Sequence, residues 1–283
     1  MWFNFHTHSK YCDGKGELSD YVARTQSLNM MSLGFSSHAP LPFERPWSML
    51  RERLPDYLEA INTLKASTRA VQLYAGLEVD FVPGSIKPTD FSGMLDYTVG
   101  SVHFVDALPD GTPWEIDGTH TLFQEGFEKI FHSDIRATLL RYLELTRQMV
   151  TTACPTIVGH LDKIKIQNTD NRLFREDEAW YREAMNDVLD CIAQEGAILE
   201  VNTRGLYQKK SSTPYPSPWV LERVLQKNIP ITLSSDAHHP DDITNQFTET
   251  AALLAGIGFK SLMVLHDGSW QPLPFNTHGI ILH

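Results

Sequence analysis

Short apolar or alternating runs recur along the chain, separated by longer stretches with helical periodicity. Strands are predicted over 3–8 (FNFHTH), 32–38 (SLGFSSH), 71–81 (VQLYAGLEVDF) and 97–105 (YTVGSVHFV). Three more are predicted over 156–162 (TIVGHLD), 196–203 (GAILEVNT) and 230–238 (PITLSSDAH). Helices are predicted over 17–29, 49–67, 120–150 and 176–195, with another around 243–256 behind Asp241 and Asp242, where acidic groups favour a helix start. The strand–helix–strand order implies a parallel sheet, closed or nearly closed, with helices outside it. The last apolar run, FKSLMVLH, fits either an eighth strand or a return segment packed outside. No repeat or low-complexity linker divides the chain, so residues 1–283 are expected to form one domain.

The polar positions sharpen this picture. In the first strand Phe3 and Phe5 alternate with Asn4, His6 and His8, so the two histidines project from one face. Asp236 and His238 are likewise two apart. Together with His38, Glu78, His103 and His160 they stand near the C-terminal ends of predicted strands, the barrel rim where side chains from distant segments meet. Burying each group separately would be costly, whereas metal coordination would satisfy them all. Imidazole nitrogen and carboxylate oxygen suit zinc, manganese or iron, and the set, with Asp13, exceeds one tetrahedral ion. Any single histidine reads equally well as a surface or core-satisfied residue; the joint pattern points to metal.

Composition narrows the partners. With 24 basic and 35 acidic residues the formal charge is −11, which gives no electrostatic reason to expect nucleic acid or an acidic membrane. Cys12, Cys154 and Cys191 form neither a CxxC pair nor a disulfide framework. There is no secretory signal pattern, and no apolar run of the roughly 18 residues a membrane span needs. A soluble, cytoplasmic protein without an organic cofactor is expected; the oligomeric state is not readable.

The segments FHTHSKYCDG, GFSSHAP, GLEVDF, SVHFV, IVGHLDKI and SSDAHH, in this order over residues 3–239, resemble the PHP (polymerase and histidinol phosphatase) superfamily of metal-dependent phosphoesterases. LEVNTRG followed by YPSPWVL further resembles its stand-alone histidinol-phosphate phosphatases, not the PHP modules of much larger DNA polymerases. The resemblance implies a distorted seven-stranded (β/α) TIM-like barrel holding a trinuclear cluster of divalent metals, two or three ions of zinc, manganese or iron. One ion would take His6, His8, Glu78 and Asp236. A second would share Glu78 and add His103 and His160. The third would take Asp13, where some relatives have histidine, with His38 and His238. Glu78, Asp236 and His238 are cast as the catalytic residues.

Closely spaced metals suit phosphate monoester hydrolysis, with a metal-bound hydroxide attacking phosphorus in line. Ser9, Ser234 and Ser235 lack a nucleophile–base pattern. Arg204 could bind phosphate with two directed bonds, with a surface ion pair as its ordinary alternative; Lys163 is a weaker second candidate. Asp162 could orient a histidine or meet an amine. The loops at 39–49 and 106–119 could control access, with Arg45 and Trp47 covering the pocket or Phe43 and Trp47 merely anchoring the first loop. Cys12, His239, His120, His132, His266, His278 and His283 are left out of the ligand set. The leading expectation is conversion of L-histidinol phosphate to L-histidinol and phosphate. The alternatives are a PHP phosphoesterase for another small metabolite or nucleotide, and a non-enzymatic metal-stabilised binding module.

Overall fold

The computed structural model describes residues 1–282. Seven parallel strands form one curved sheet in the order β1 (Phe3–Asn4), β2 (Ser32–Phe35), β3 (Gln72–Asp80), β4 (Tyr97–Ser101), then β7 (Ile157–Val158), β8 (Ile198–Asn202) and β9 (Ile231–Ser234). Between β4 and β7 the chain makes an antiparallel hairpin, β5 (Phe104–Ala107) with β6 (Pro113–Glu115). The helices are α1 (Leu18–Ser27), α2 (Leu54–Ser67), α3 (His120–Lys129), α4 (Ile135–Ala153) and α5 (Ala179–Glu195), followed by a single turn α6 (Arg204–Tyr207), then α7 (Pro218–Gln226) and α8 (Phe247–Ile257). The result is the expected distorted seven-stranded (β/α) barrel.

The two edges meet beyond the regular strands. Thr7 pairs in parallel with Ala237; His8 N donates to Ala237 O at 2.8 Å, and Ala237 N to His6 O at 3.2 Å. A second such pair links His38 with Glu78. Several ladders are shorter than the apolar runs suggest: β1, β2, β4, β7 and β9 end before His6, His38, His103, His160 and Asp236, whereas β3 carries Glu78 and Asp80 within its ladder with β4.

Below the rim the barrel is filled with aromatic and aliphatic side chains. Tyr97 is buried, and its hydroxyl donates to Phe5 O at 2.8 Å and Phe35 O at 3.1 Å, joining the first two strands from inside. Its ring fits because Gly76 faces it: a Cβ there would lie 2.5 Å from the ring. The terminal run settles outside the barrel sheet. Strands β10 (Ser261–His266), β11 (Ser269–Asn276) and β12 (Gly279–Ile280) form a separate antiparallel sheet. Thr232 Oγ1 donates to Met263 O at 2.9 Å, Ser32 Oγ to Leu265 O at 3.2 Å, and Trp270 packs 5.0 Å from Phe5. This sheet floors the barrel opposite the rim.

Three expectations need correction. The helix predicted over 120–150 is two helices, because His132 and Ser133 adopt left-handed backbone (φ 51° and 61°) and the Asp134 side chain caps α4 by accepting from Ala137 N at 3.0 Å. The strand predicted over 97–105 divides at Val102–His103, and the loop predicted over 106–119 contains the returning strand β6. Helix α7, which starts at Pro218 inside the YPSPWVL segment, is an addition, as proline favours a first turn.

Tyr97→Phe removes the one hydroxyl proton shared between the Phe5 and Phe35 carbonyls and is expected to cost about 1–3 kcal/mol. Urea unfolding checks this as a lower midpoint at unchanged slope; an unaltered midpoint would contradict the role given to the hydroxyl.

Candidate metal centre

The closing pair Thr7–Ala237 determines what enters the barrel mouth. Its flanking residues, His6 and His8 on one side and Asp236 and His238 on the other, converge there. His6 Nε2 lies 3.2 Å from Glu78 Oε2, and His8 Nε2 lies 3.2 Å from Asp236 Oδ1. The rings of His8 and His238 are 4.0 Å apart, and those of His8 and His38 4.4 Å. His38 Nδ1 is 3.0 Å and His160 Nε2 2.9 Å from Glu78, one on each carboxylate oxygen. Asp13, on the turn after the first strand, reaches His238 Nε2 at 3.2 Å. Thus all nine residues predicted as ligands surround one point of the rim.

Their donor atoms fall into three groups: His6, His8 and Asp236; Glu78, His103 and His160; and His8, Asp13, His38 and His238. The grouping differs from the expected partition in two respects: His8 also stands with the Asp13 group, and Glu78 groups with His103 and His160 but not with His6, His8 and Asp236. Glu78 lies between groups, within 3.5 Å of His8 Nε2 and 3.6 Å of His103 Nε2.

The donor set fits divalent cations. His6 Nε2, His8 Nε2, His38 Nδ1 and Asp13 Oδ1 are buried atoms with no hydrogen-bond partner among the described residues, an arrangement that proteins rarely leave unmet. Burial opposes the charge of Glu78, but His6 and His38 outweigh it and hold the carboxyl well below its usual range. Asp236 is held down in the same way against burial, by His6 and Arg204. Burial draws the His8 imidazole down to about 4 and that of His38 well below its normal value. The set of imidazoles is therefore mixed. His8 and His38 resist a proton, whereas His6 is drawn well above the usual imidazole range against burial by Glu200, Asp236 and Glu78, and His103 up to about 9 by Asp80 and Asp117. Cations added among the ionised carboxylates would take the place of those protons.

A surrounding layer of acids went unnoticed in the sequence. Glu200 accepts from His6 Nδ1 at 2.6 Å and from His160 N at 2.7 Å. Asp80 takes His103 Nδ1 at 2.8 Å. Each carboxylate places the ring proton on Nδ1 and leaves Nε2 facing the rim, as orienting partners of metal-binding histidines do. Asp80 had a legible signal: it is two residues after Glu78 on the same strand, hence on the same face. Ser101 Oγ donates to Glu78 Oε1 at 2.6 Å, and Asn202 Nδ2 to Asp236 Oδ2 at 3.2 Å. Asp236 itself has φ 52°, and its carbonyl is fixed by Arg204 Nη1 at 2.7 Å and by the Tyr207 hydroxyl at 3.1 Å.

The cluster opens into a cavity of about 250 Å³ lined by Asp13, His38, His103, Lys163, Arg204 and Asp236 among others. Arg204, at the start of α6, also donates to His238 Nδ1 at 2.6 Å. Lys163 sits 3.0 Å from Asp117 Oδ2 and 3.3 Å from His103 Nε2. Burial works against its charge, but Asp117 and Asp236 hold its pKa above the ordinary lysine value. Asp162 meets an amine, Lys165 Nζ at 2.9 Å, and not a histidine. Trp47 lies 4.6 Å from the His38 ring on the cavity wall, whereas Phe43 packs on Phe104 at 5.0 Å, so the 39–49 loop is both anchored and part of the wall.

His239 is half exposed and accepts from Asp241 N at 3.2 Å, away from the cluster. Cys12 packs its sulfur 3.6 Å from His8 Nδ1 and joins none of the three groups. His120 lies by Gln167 and His266 by Asp267, both outside the groups, as are His132 and His278. His283 lies outside the described residues.

The PHP domain family matches residues 4–204, well over half of the chain. The chain belongs to the PHP family. This PHP protein is 27% identical over 269 residues to a Deinococcus radiodurans protein named "Probable histidinol-phosphatase", covering 92% of this chain and 95% of that one. It is 26% identical over 258 residues to the histidinol-phosphatase of Bacillus subtilis, covering 84% and 94%. In fold it matches the Lactococcus lactis histidinol phosphate phosphatase, whose crystal structure contains Zn, L-histidinol and phosphate. That match has a TM-score of 0.70 at 22% identity and covers 99% of each chain. Among the described residues no helix is long and apolar enough to cross a membrane.

Glu200→Gln sets an amide N–H against donors and removes the charge behind His6. It is expected to weaken metal retention about 10- to 100-fold, read by elemental analysis after graded chelator dialysis. Retention equal to that of the unaltered protein would contradict the orienting role.

Proposed function

We propose that this PHP protein is a metal-dependent phosphate monoester hydrolase acting on L-histidinol phosphate, releasing L-histidinol and phosphate. The observation that carries the reaction class is the ring of imidazoles and carboxylates with unpartnered buried donor atoms, facing one cavity beside Arg204 and Lys163. The substrate follows from the names of the full-length relatives.

His6, His8, Asp13, His38, Glu78, His103, His160, Asp236 and His238 would hold two or three divalent ions of zinc, manganese or iron. Such ions acidify water and offset phosphate charge. The chain's own residues do the rest. Glu200 and Asp80 fix the imidazole orientations from behind, so that the Nε2 lone pairs converge without reorganisation. Glu78 and Asp236, ionised and buried, set the negative charge that makes the site select dications. Arg204 has one guanidinium nitrogen, Nη1, on the Asp236 carbonyl and His238. Its remaining N–H groups can meet phosphate oxygens in a fork. Lys163 stands as a point charge on the other side of His103 and His160. Ser9 is tied to Ser37 at 3.0 Å and Ser235 accepts from Asn4 at 2.7 Å, so the proposal uses water as nucleophile and needs no phosphoseryl intermediate. A cavity this size suits a small alcohol. We take residues 1–283 as one cytoplasmic domain with no nucleic-acid partner.

Initial rates on histidinol phosphate, nucleoside monophosphates and simple phosphate esters, after loading with Mn or Zn, test this reading. Histidinol phosphate is expected to be preferred, and Arg204→Ala to lower kcat/KM by about 100-fold with metals retained. Efficient turnover of another ester without turnover of histidinol phosphate would reject the substrate; unchanged kinetics in the variant would reject the role of Arg204.

A further inference from the structure

The hairpin between His103 and α3 contributes an acidic wall to the same cavity. Glu115 ends β6, and alternation sends Ile116 into the core while Glu115 and Asp117 face the opening. Asp117 is committed to Lys163 at 3.0 Å. Glu115 is held differently. Arg45 Nε donates to its Oε1 at 2.6 Å, and Trp47 Nε1 approaches the same oxygen at 3.3 Å. Arg45 is itself fixed by a bond from Nη2 to Pro113 O at 2.8 Å. Both donors converge on Oε1, and no hydrogen bond from another of the described residues reaches Oε2. Glu115 lines the cavity and Arg45 does not, so the carboxylate is presented while its counter-ion stays behind it.

Position adds to this. The Trp47 ring lies 4.6 Å from His38 and 6.0 Å from His103, so Glu115 stands about one aromatic ring away from the ligand cluster. A phosphoryl group held at the cluster by Arg204 and Lys163 would have its alcohol carbons within reach of this wall. The geometry points to Glu115 as the receptor for an ammonium group on the leaving alcohol, which makes the cavity selective for phosphate monoesters of amino alcohols. This deepens, and rests on, the histidinol-phosphate reading: that substrate carries its amine on the carbon adjacent to the esterified one. The Trp47 face offers the same cation, or the attached ring, an aromatic surface. Glu115 changes no bond; it determines which alcohol is accepted.

The test compares kcat/KM for histidinol phosphate and for its analogue lacking the amine, with the unaltered metal-loaded enzyme, Glu115→Gln and Glu115→Asp. The unaltered enzyme is expected to prefer the amine about 30-fold, as a charge-assisted hydrogen bond provides. The preference should collapse towards unity in Glu115→Gln and return in part in Glu115→Asp. A preference that stays as in the unaltered enzyme, including equal losses on both substrates, would overturn the assignment. If histidinol phosphate is not hydrolysed at all, the reading of the previous section fails. In that case the same ratio measured with phosphoethanolamine against ethyl phosphate still decides the role of Glu115: a ratio that collapses in Glu115→Gln supports it, and one that does not overturns it.

Discussion

Two backbone hydrogen bonds between the first and last barrel strands, His8 N to Ala237 O and Ala237 N to His6 O, set the conditions for everything at the rim. They hold Thr7 against Ala237, 230 residues further along the chain. Their neighbours in sequence are the two histidines of one strand and Asp236 and His238 of the other. Closing the barrel therefore gathers charge. Without cations that gathering would bury carboxylates and imidazoles whose donor atoms have no partner, which is unfavourable. Barrel closure and metal binding are thus coupled, because the same backbone pairing that completes the sheet assembles a set of ligands.

The floor of the barrel supplies what the rim does not. Phe5, Tyr97 and Trp270 pack face to edge, and the Tyr97 hydroxyl bonds two strands from within. Burial of these large rings is the main favourable contribution to folding. The β10–β12 sheet covers the end of the barrel away from the cluster. Apolar stability at one end and polar function at the other follow the usual division of a (β/α) barrel, in which the C-terminal ends of the strands carry the chemistry.

Much of this was legible in the chain because strand periodicity is local. His6 and His8, or Asp236 and His238, need only alternation to share a face, and the seven barrel strands were all found near their true positions. The missing parts are those that depend on distant partners. Glu200 has no neighbour at metal-ligand spacing, and only the fold brings His6 and the His160 amide to it. Asp117 and Glu115 sat in a stretch rich in glycine and proline that reads as a loop, since β6 is only three residues long and its pairing with β5 shifts register. The break between α3 and α4 depends on two left-handed residues and one aspartate cap, a signal weaker than the continuous amphipathic pattern around it.

We propose that barrel closure assembles a site for two or three divalent ions. The most direct measurement is anomalous X-ray diffraction from crystals grown with zinc or manganese, collected at the metal edge. Two or three peaks are expected within the rim cluster, each in contact with one of the groups built from His6, His8 and Asp236, from Glu78, His103 and His160, or from His8, Asp13, His38 and His238. A rim without anomalous density, or a single ion bound by residues outside these groups, would contradict it.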